Sequence, residues 1–580
     1  MSIIFNRPFV AHQSKLLGKT AQDYYKEFHN KELHDSPPFP LSPFPFPTPH
    51  SPLPTPFPTP MPQTRTYDLI VFGDEVPGVL ALVAAAREHR RRTGKGLRTL
   101  LMFKGSSLEG VGGHLVRGRL AYLDRSHIPL ELRRSLSLDV FGEPAAIYQE
   151  FLQRSGVVRI ALDPKQADAA LRQMLAEVQA TMLSRIDIAS VSRVGDRITG
   201  ILLTNGDRYE AKVFIDATVN AELAVFAGVK KLPGFANLGL PNSELPVTLV
   251  FETEGLTAQR LQQIELEYLQ RFTNPADRQA QQMILAAAGG NAVLAKQLVK
   301  GMVDGQGKLR PMFAGVDYID VRSKTLSIVY HAFRRTVLDI RQSGAILDNG
   351  NIAILPGGKL SWNALLAYVN ASQAEALARA DAKPSAAILQ EMQQVDRWFK
   401  SLGATTVTPA TELYIRHAGN VTGAVEPLSG ARMLAGGVPE SEALGTFGYA
   451  FDIRGGITGI EKQAYDRGLS TELNFRPPLF NIGIRHALMR TVPNLAVVSP
   501  ASGFDGYASS AGRIVEFNVG VGQGVGIACS LALASGRNLA DITNTEVRAI
   551  LVQTNRLPRV YGKVDLAEAE KLREVETRIA

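Results

Sequence analysis

The sequence predicts an α/β fold: a discontinuous, Rossmann-like dinucleotide-binding domain with a parallel sheet and a β-meander, interrupted by an inserted α+β domain. Three observations predict it. Tyr67 to Gly113 reads as strand, glycine turn, small-residue helix, strand and Gly-Gly loop, the order of a βαβ nucleotide-binding unit. Residues 186–216 carry alternating apolar strands separated by Gly195-Asp196 and Asn205-Gly206-Asp207, which are hairpin turn residues. Near the C-terminus, strand Leu495–Ser499 and a glycine-rich helix, Val519–Ser535, return the chain to the first pattern. At 580 residues there is length for two cores, or for one discontinuous domain with an insertion.

Taken in order, residues 1–36 form an N-terminal extension with one short amphipathic helix expected near Thr20–Leu33. From 37 to 65 proline recurs at nearly every second or third position. Proline lacks the amide donor and favours extended polyproline II, so this is a tether expected to be disordered, serving as a spacer or as a ligand for a proline-reading partner. The first part of the nucleotide-binding domain spans 66–230. In it, Tyr67–Phe72 is a strand, Gly73-Asp74-Glu75-Val76-Pro77-Gly78 the turn, Val79–Arg87 a helix and Arg98–Phe103 the second strand. A pyrophosphate rests on amides at such a helix start, but the Gly-x-Gly-x-x-Gly pattern has Glu75 in place of its second glycine. An acid there gives no help to an anion, and its side chain is expected to turn to solvent. Asp163–Leu183 reads as a helix, followed by meander strands 186–191, 197–203 and 208–216, the last running into Ala217-Thr218. Residues 231–490 form the substrate or cap domain, with helices Thr257–Phe272 and Ala386–Leu402 and strand Pro246–Phe251; 491–555 completes the first domain, and 556–580 is a charged tail.

Composition narrows the function. Apolar residues make up 45%, and no uninterrupted run reaches the ~18 apolar residues of a membrane span. The start lacks the basic and apolar regions of a signal peptide. The single cysteine, Cys529, permits no intramolecular disulfide and suits a reducing, cytoplasmic setting; a structural zinc site is not expected. The net charge of +8 forms no long stripe. Its densest cluster, Arg87 to Arg98, reads as a solvated helix C-terminus complementing the dipole, and no nucleic-acid partner is expected.

Five separated segments, in order, resemble the FAD-dependent oxidoreductase family with a glutathione-reductase-like, two-dinucleotide-fold FAD domain, including its xanthan-lyase-like members. They are Asp68–Arg87, Gly110–Leu115, Phe214–Thr218 with Glu222–Ala224, Tyr449–Gly455, and Asn494–Val497 leading to Arg513 and Gly522–Ala528. The resemblance spans roughly Thr66 to Leu551. It implies bound FAD and hydride transfer to or from an unidentified small molecule. It also implies cofactor contacts at Gly73, Glu75, Val76, Pro77, Gly78, Lys104, Gly112, Gly113, His114, Val191, Ala217, Thr218, Arg513, Gly522 and Gly526. Gly522 and Gly526 are expected to open the last helix, with its positive end toward the flavin.

The chain departs from the family pattern at Lys104, where an acid normally holds the adenosine ribose; at Arg454, in place of a histidine; and at Gly419-Asn420, where arginines often follow Arg416. Hydride chemistry needs a proton donor or acceptor, for which His114 and His486 are candidates. Asp452 with Arg454 joins them as candidate catalytic groups, and Arg416 and Arg485 as candidate substrate-binding forks for a carboxylate. The alternative reading is a non-catalytic flavin-binding or scaffold protein acting through its proline-rich arm.

Overall fold

The strand β1 (Leu69–Phe72), the helix α1 (Val76–Thr93) and the strand β2 (Thr99–Phe103) realise the βαβ unit, with β1 and β2 parallel and Leu69 opposite Thr99. Every residue of both strands is buried, as expected of a parallel sheet covered on both faces. These elements come from a computed structural model that describes residues 63–452, 457, 459–469 and 473–580. The expectations on residues 1–62, and on Arg454 and Gly455, fall outside the described residues.

The helix α2 (Pro164–Glu177) starts at Asp163, whose carboxylate accepts the Lys165 amide, and stops earlier than its apolar spacing predicts. Gln179 turns left-handed (φ 56°), and the residues expected to continue the helix become an edge strand, β3 (Thr181–Ser184), parallel to β2. The third meander strand also divides. Arg208–Glu210 stays in the meander, whereas β4 (Val213–Asp216) pairs with β1. With β5 (Leu495–Val497) the parallel sheet has the order β5-β4-β1-β2-β3. The chain therefore leaves β1 toward β2 on one side and returns to β4 on the other. The carboxyl ends of β1 and β4 flank the switch point where open α/β sheets bind ligands.

Thr64–Thr66, of which the first two residues are assigned to the linker from sequence, pairs in parallel with Arg208–Glu210 at the edge of the meander. The inserted region builds a six-stranded antiparallel sheet, in which Val247–Glu254 lies between Leu360–Ala367 and Thr406–Pro409. Its core holds Phe251, Trp362, Trp398 and Phe399, whose rings meet at centroid distances of 4.6 to 5.9 Å.

The final long helix, α3 (Val515–Ser535), begins four residues before its expected start. Gly522 and Gly526 consequently lie inside it rather than at its opening. A Cβ on Gly522 would stand 2.6 Å from the Pro77 carbonyl oxygen, and one on Gly526 would collide with the Ala81 carbonyl. Both glycines let α3 and α1 approach backbone to backbone. α3 is long and apolar enough by composition to cross a membrane, but 78% of that stretch is buried inside the protein, as for a core helix. Cys529 is buried within it. The expected C-terminal tail is instead a packed helix, α4 (Leu566–Ile579), burying Ala569, Leu572, Val575 and Ile579. Its Glu576 accepts the amides of Gly430, Ala431 and Tyr507.

Candidate functional site

The turn after β1 needs Gly73, which adopts φ 98° with backbone so close to Ala217 that a Cβ would lie 2.5 Å from the Ala217 carbonyl carbon. Gly78 packs on the Ala217 methyl from the first turn of α1. Thr218 follows β4. Its amide and hydroxyl both donate to Asp216 (2.9 and 2.7 Å), and its hydroxyl accepts the Glu222 amide. Burial pushes Asp216 up to about 6, against the hydrogen bonds it accepts. Thus turn 73–78, loop 110–114 and Ala217-Thr218 converge at the switch point.

What fills this convergence is acidic side chain. Four consecutive amides of the Gly-Gly loop donate to carboxylates: Val111 to Asp168 (2.7 Å), Gly112 and Gly113 to Asp74 (3.0 and 3.3 Å), and His114 to Glu75 (3.2 Å). Glu75 does not turn to solvent as its sequence position suggested. Its carboxylate lies against Gly113, where a Cβ would overlap it, and Oε2 is 2.5 Å from His114 Nδ1. The His114 ring in turn stacks on Tyr414 at 4.8 Å, and its buried Nε2 has no hydrogen-bond partner among the described residues. At the start of α1, Val76 can offer an amide, but Pro77 has none.

Behind the turn lies a buried network that sequence reasoning missed. Arg117 forks onto both oxygens of Asp74 (2.5 and 2.9 Å), donates to Glu412 (2.6 Å) and to the Gly110 carbonyl (2.8 Å), and lies over Phe103. All three charged side chains are at most 5% exposed. One guanidinium cannot neutralise two buried carboxylates. Although burial raises it, Asp74 is held below the usual carboxylate range by the fork, while burial pushes Glu412 up to about 8. The 295-residue separation of Arg117 and Glu412 left no local signal for this pairing.

Lys104, at the end of β2, is bound to Glu222 (2.9 Å), Asp187 (3.1 Å) and the Arg379 carbonyl (2.9 Å). Further along, Arg513 is buried beneath Tyr449, 3.1 Å from Asp452 Oδ2 and 3.8 Å from Asp124. Its Nε has no partner among the described residues. His127 stacks on Tyr449 at 4.4 Å, which adds an imidazole that the sequence reading overlooked. Burial draws the His127 pKa down, against the pull of Asp124.

His486 and Arg485 lie apart from this group, along a second small cavity, whereas Arg416 lies over Tyr414, on which His114 stacks. His486 is stacked on Phe517 and tilted against Phe504, and burial drives its pKa down to about 3. Arg485 pairs with Glu426, which Arg432 also holds. Arg416 donates to the Pro246 carbonyl and to Asn363, over the Tyr414 ring. Val191 sits on the meander strand Ile188–Val194 opposite Ile201, outside the cleft lining. In the basic cluster on α1, Arg87 pairs with Glu150 and Glu177, and Arg91 with Glu88.

The cleft between Gly73, Lys104, His114, Thr218 and Glu412 has a volume of about 70 Å³. Its neighbour, between Tyr414, Asp124 and Arg513, has only about 10 Å³. A larger cavity of about 710 Å³ lies in the inserted region, where Arg334 and Glu391 satisfy each other (2.7 Å).

Comparison with known proteins gives a family. The model of the family described as "FAD dependent oxidoreductase" matches residues 68–551. None of the curated proteins matches the sequence. Among solved structures, a geranylgeranyl bacteriochlorophyll reductase-like protein from Thermoplasma acidophilum is 11% identical with a TM-score of 0.34, over 89% of this chain and 88% of its own. The L-proline dehydrogenase from P. horikoshii is 11% identical with a TM-score of 0.33, over 85% and 100%. A myxobacterial chondrochloren halogenase is 12% identical with a TM-score of 0.35, over 89% of each chain. At such scores these neighbours say nothing about the chemistry of this site.

FAD is the cofactor of the matched family. The framework for it is present at the switch point, but the residues as they stand do not accommodate it. A pyrophosphate would meet two carboxylates, and the adenosine ribose would meet an ammonium already held by two acids. The cleft holds about 70 Å³, against the roughly 300–1,000 Å³ of pockets that bury drug-sized ligands.

Proposed function

Because the chain belongs to the FAD dependent oxidoreductase family, we propose that it transfers hydride between a small-molecule substrate and FAD, in a conformation whose cleft is wider than the one described above. The observation that carries this reading is the convergence of turn 73–78, loop 110–114 and Ala217-Thr218 at the switch point of a parallel sheet ordered β5-β4-β1-β2-β3. FAD, when bound, supplies the electron chemistry. The chain's own contribution is the group beside the narrow slot. Arg513 receives an acidic or carbonyl oxygen of the substrate through its Nε, which has no partner among the described residues, Tyr449 and Asp452 hold the guanidinium in place, and His127 is the neighbouring proton carrier. Membership of the family favours this enzyme over the non-catalytic scaffold. The single buried cysteine supports a reducing, cytoplasmic setting.

The test is an anaerobic screen of small acids and alcohols against protein incubated with FAD, following the oxidised-flavin band near ~450 nm. Bleaching by at least one compound, lost in Arg513→Met, supports the reading. A protein that binds FAD yet is bleached equally with and without Arg513 contradicts the assignment of the substrate group.

A further inference from the structure

Glu75 stands where the nucleotide-binding pattern has its second glycine, and it is held more loosely than its neighbour Asp74. Asp74 is fixed from below by both nitrogens of a buried arginine and from above by two amides. Glu75 has no such anchor. It flanks α1 without capping it (φ −56°, ψ 140°), and its side chain, 13% exposed, reaches across the cleft to the Gly-Gly loop. There it accepts the His114 amide and meets the His114 imidazole. Consecutive backbone amides pointing into one space form an anion-binding concavity. Here that concavity, Gly112 to His114, already holds anions supplied by the chain itself.

We propose that Glu75 is an internal plug of the dinucleotide cradle, which competes with the pyrophosphate of FAD and sets the affinity of the chain for its cofactor. The inference rests on the reading of FAD as cofactor. In the closed form, the Glu75 carboxylate takes the His114 amide and covers Gly113. Rotation of that one side chain into solvent frees the His114 amide and uncovers Gly113, while Asp74, held by Arg117, keeps the Gly112 and Gly113 amides as the floor. Two features fit a displaceable group rather than a structural one. Among the described residues the carboxylate reaches one amide and one imidazole, and its Oε2 makes no aligned hydrogen bond. The side chain also retains solvent access, whereas Asp74, Arg117 and Glu412 have almost none.

The experiment compares FAD dissociation constants of the full-length wild type, Glu75→Gly and Glu75→Gln by quenching of flavin fluorescence, with circular dichroism confirming that each is folded. Removing the competing charge is expected to tighten binding at least about tenfold in Glu75→Gly, the worth of about one charge-assisted contact. Glu75→Gln, which keeps the bulk and loses the charge, should fall between the two. It also decides the question if the glycine variant does not fold. Equal constants in the wild type and the folded variants overturn the plug, as does wild type that purifies with stoichiometric FAD. If no folded variant binds FAD, what falls is the cofactor reading beneath the plug, an outcome distinct from equal, measurable constants.

Discussion

Replacing Arg117 by methionine keeps most of the side-chain volume and removes the guanidinium that bonds both Asp74 and Glu412. Arg117 makes two bonds to Asp74, one to Glu412 and one to the Gly110 carbonyl, and all three charged side chains are at most 5% exposed. Breaking a buried pair by removing one partner costs about 3–5 kcal/mol, because a charge is left buried without compensation. Glu412, raised to about 8, is largely protonated at pH 7, so Asp74 is the carboxylate that loses its counter-charge, and protonation relieves it at about 1.4 kcal/mol per pH unit. A loss of about 3–5 kcal/mol at pH 7 is therefore expected, shrinking toward pH 5. The wild type moves oppositely at its two acids. Asp74, with its pKa lowered, contributes stability above the unfolded carboxylate range that is lost as pH falls below it. Glu412, raised to about 8, contributes stability that is full below about 4 and is lost as pH rises through 8. Urea unfolding followed by far-ultraviolet circular dichroism at pH 5 and pH 7 reads both effects, with Arg117→Lys as a milder variant. A loss below about 1 kcal/mol at pH 7, or one that grows on acidification, would refute the assignment of Arg117 as the charge that holds the floor of the cleft.

Three further outcomes follow from the packing and the buried ionisable groups. Gly526→Val should destabilise by about 1–3 kcal/mol, measured by urea midpoint, because its side chain must enter the Ala81 carbonyl and the Ala84 methyl. His486→Phe should leave flavin binding unchanged. It should also flatten the acid side of the stability curve: a histidine whose pKa falls to about 3 on folding gives stability present above about 6.5 that is lost as pH drops toward 3. Glu576→Gln should change stability most at neutral pH. Burial raises Glu576 to about 7, so the wild type loses stability as pH rises from about 4 through 7, and the glutamine variant should lack that slope in thermal melts.

The framework was legible because its signals are local. An apolar strand, a glycine turn and a small-residue helix fall within 30 residues, and the Gly73 turn is forced by the approach of Ala217. Short elements were not legible. Thr181–Ser184 is an edge strand of four residues, too brief for its period to differ from a helix end. The meander and parallel strands within 208–216 divide at Ala211-Lys212, where no turn residue marks the break. Around the site, the sequence exposed the departures at Glu75 and Lys104 but not their partners. Lys104 meets Glu222 across the switch point, Glu75 meets a histidine 39 positions away, and Arg117 meets an acid from the inserted region. Gly522 and Gly526 misled for a different reason. Glycines that let two helices touch have the same spacing as glycines at a helix start, and only the position of α3 separates the two roles.

The central claim is that a family framework for FAD has its cradle occupied by its own acids. The most direct measurement is the visible spectrum of the purified full-length protein, taken before and after incubation with excess FAD and removal of the unbound cofactor. The account predicts little or no band near ~450 nm as purified and its appearance after incubation. A full, stoichiometric flavin band in the protein as purified would contradict it.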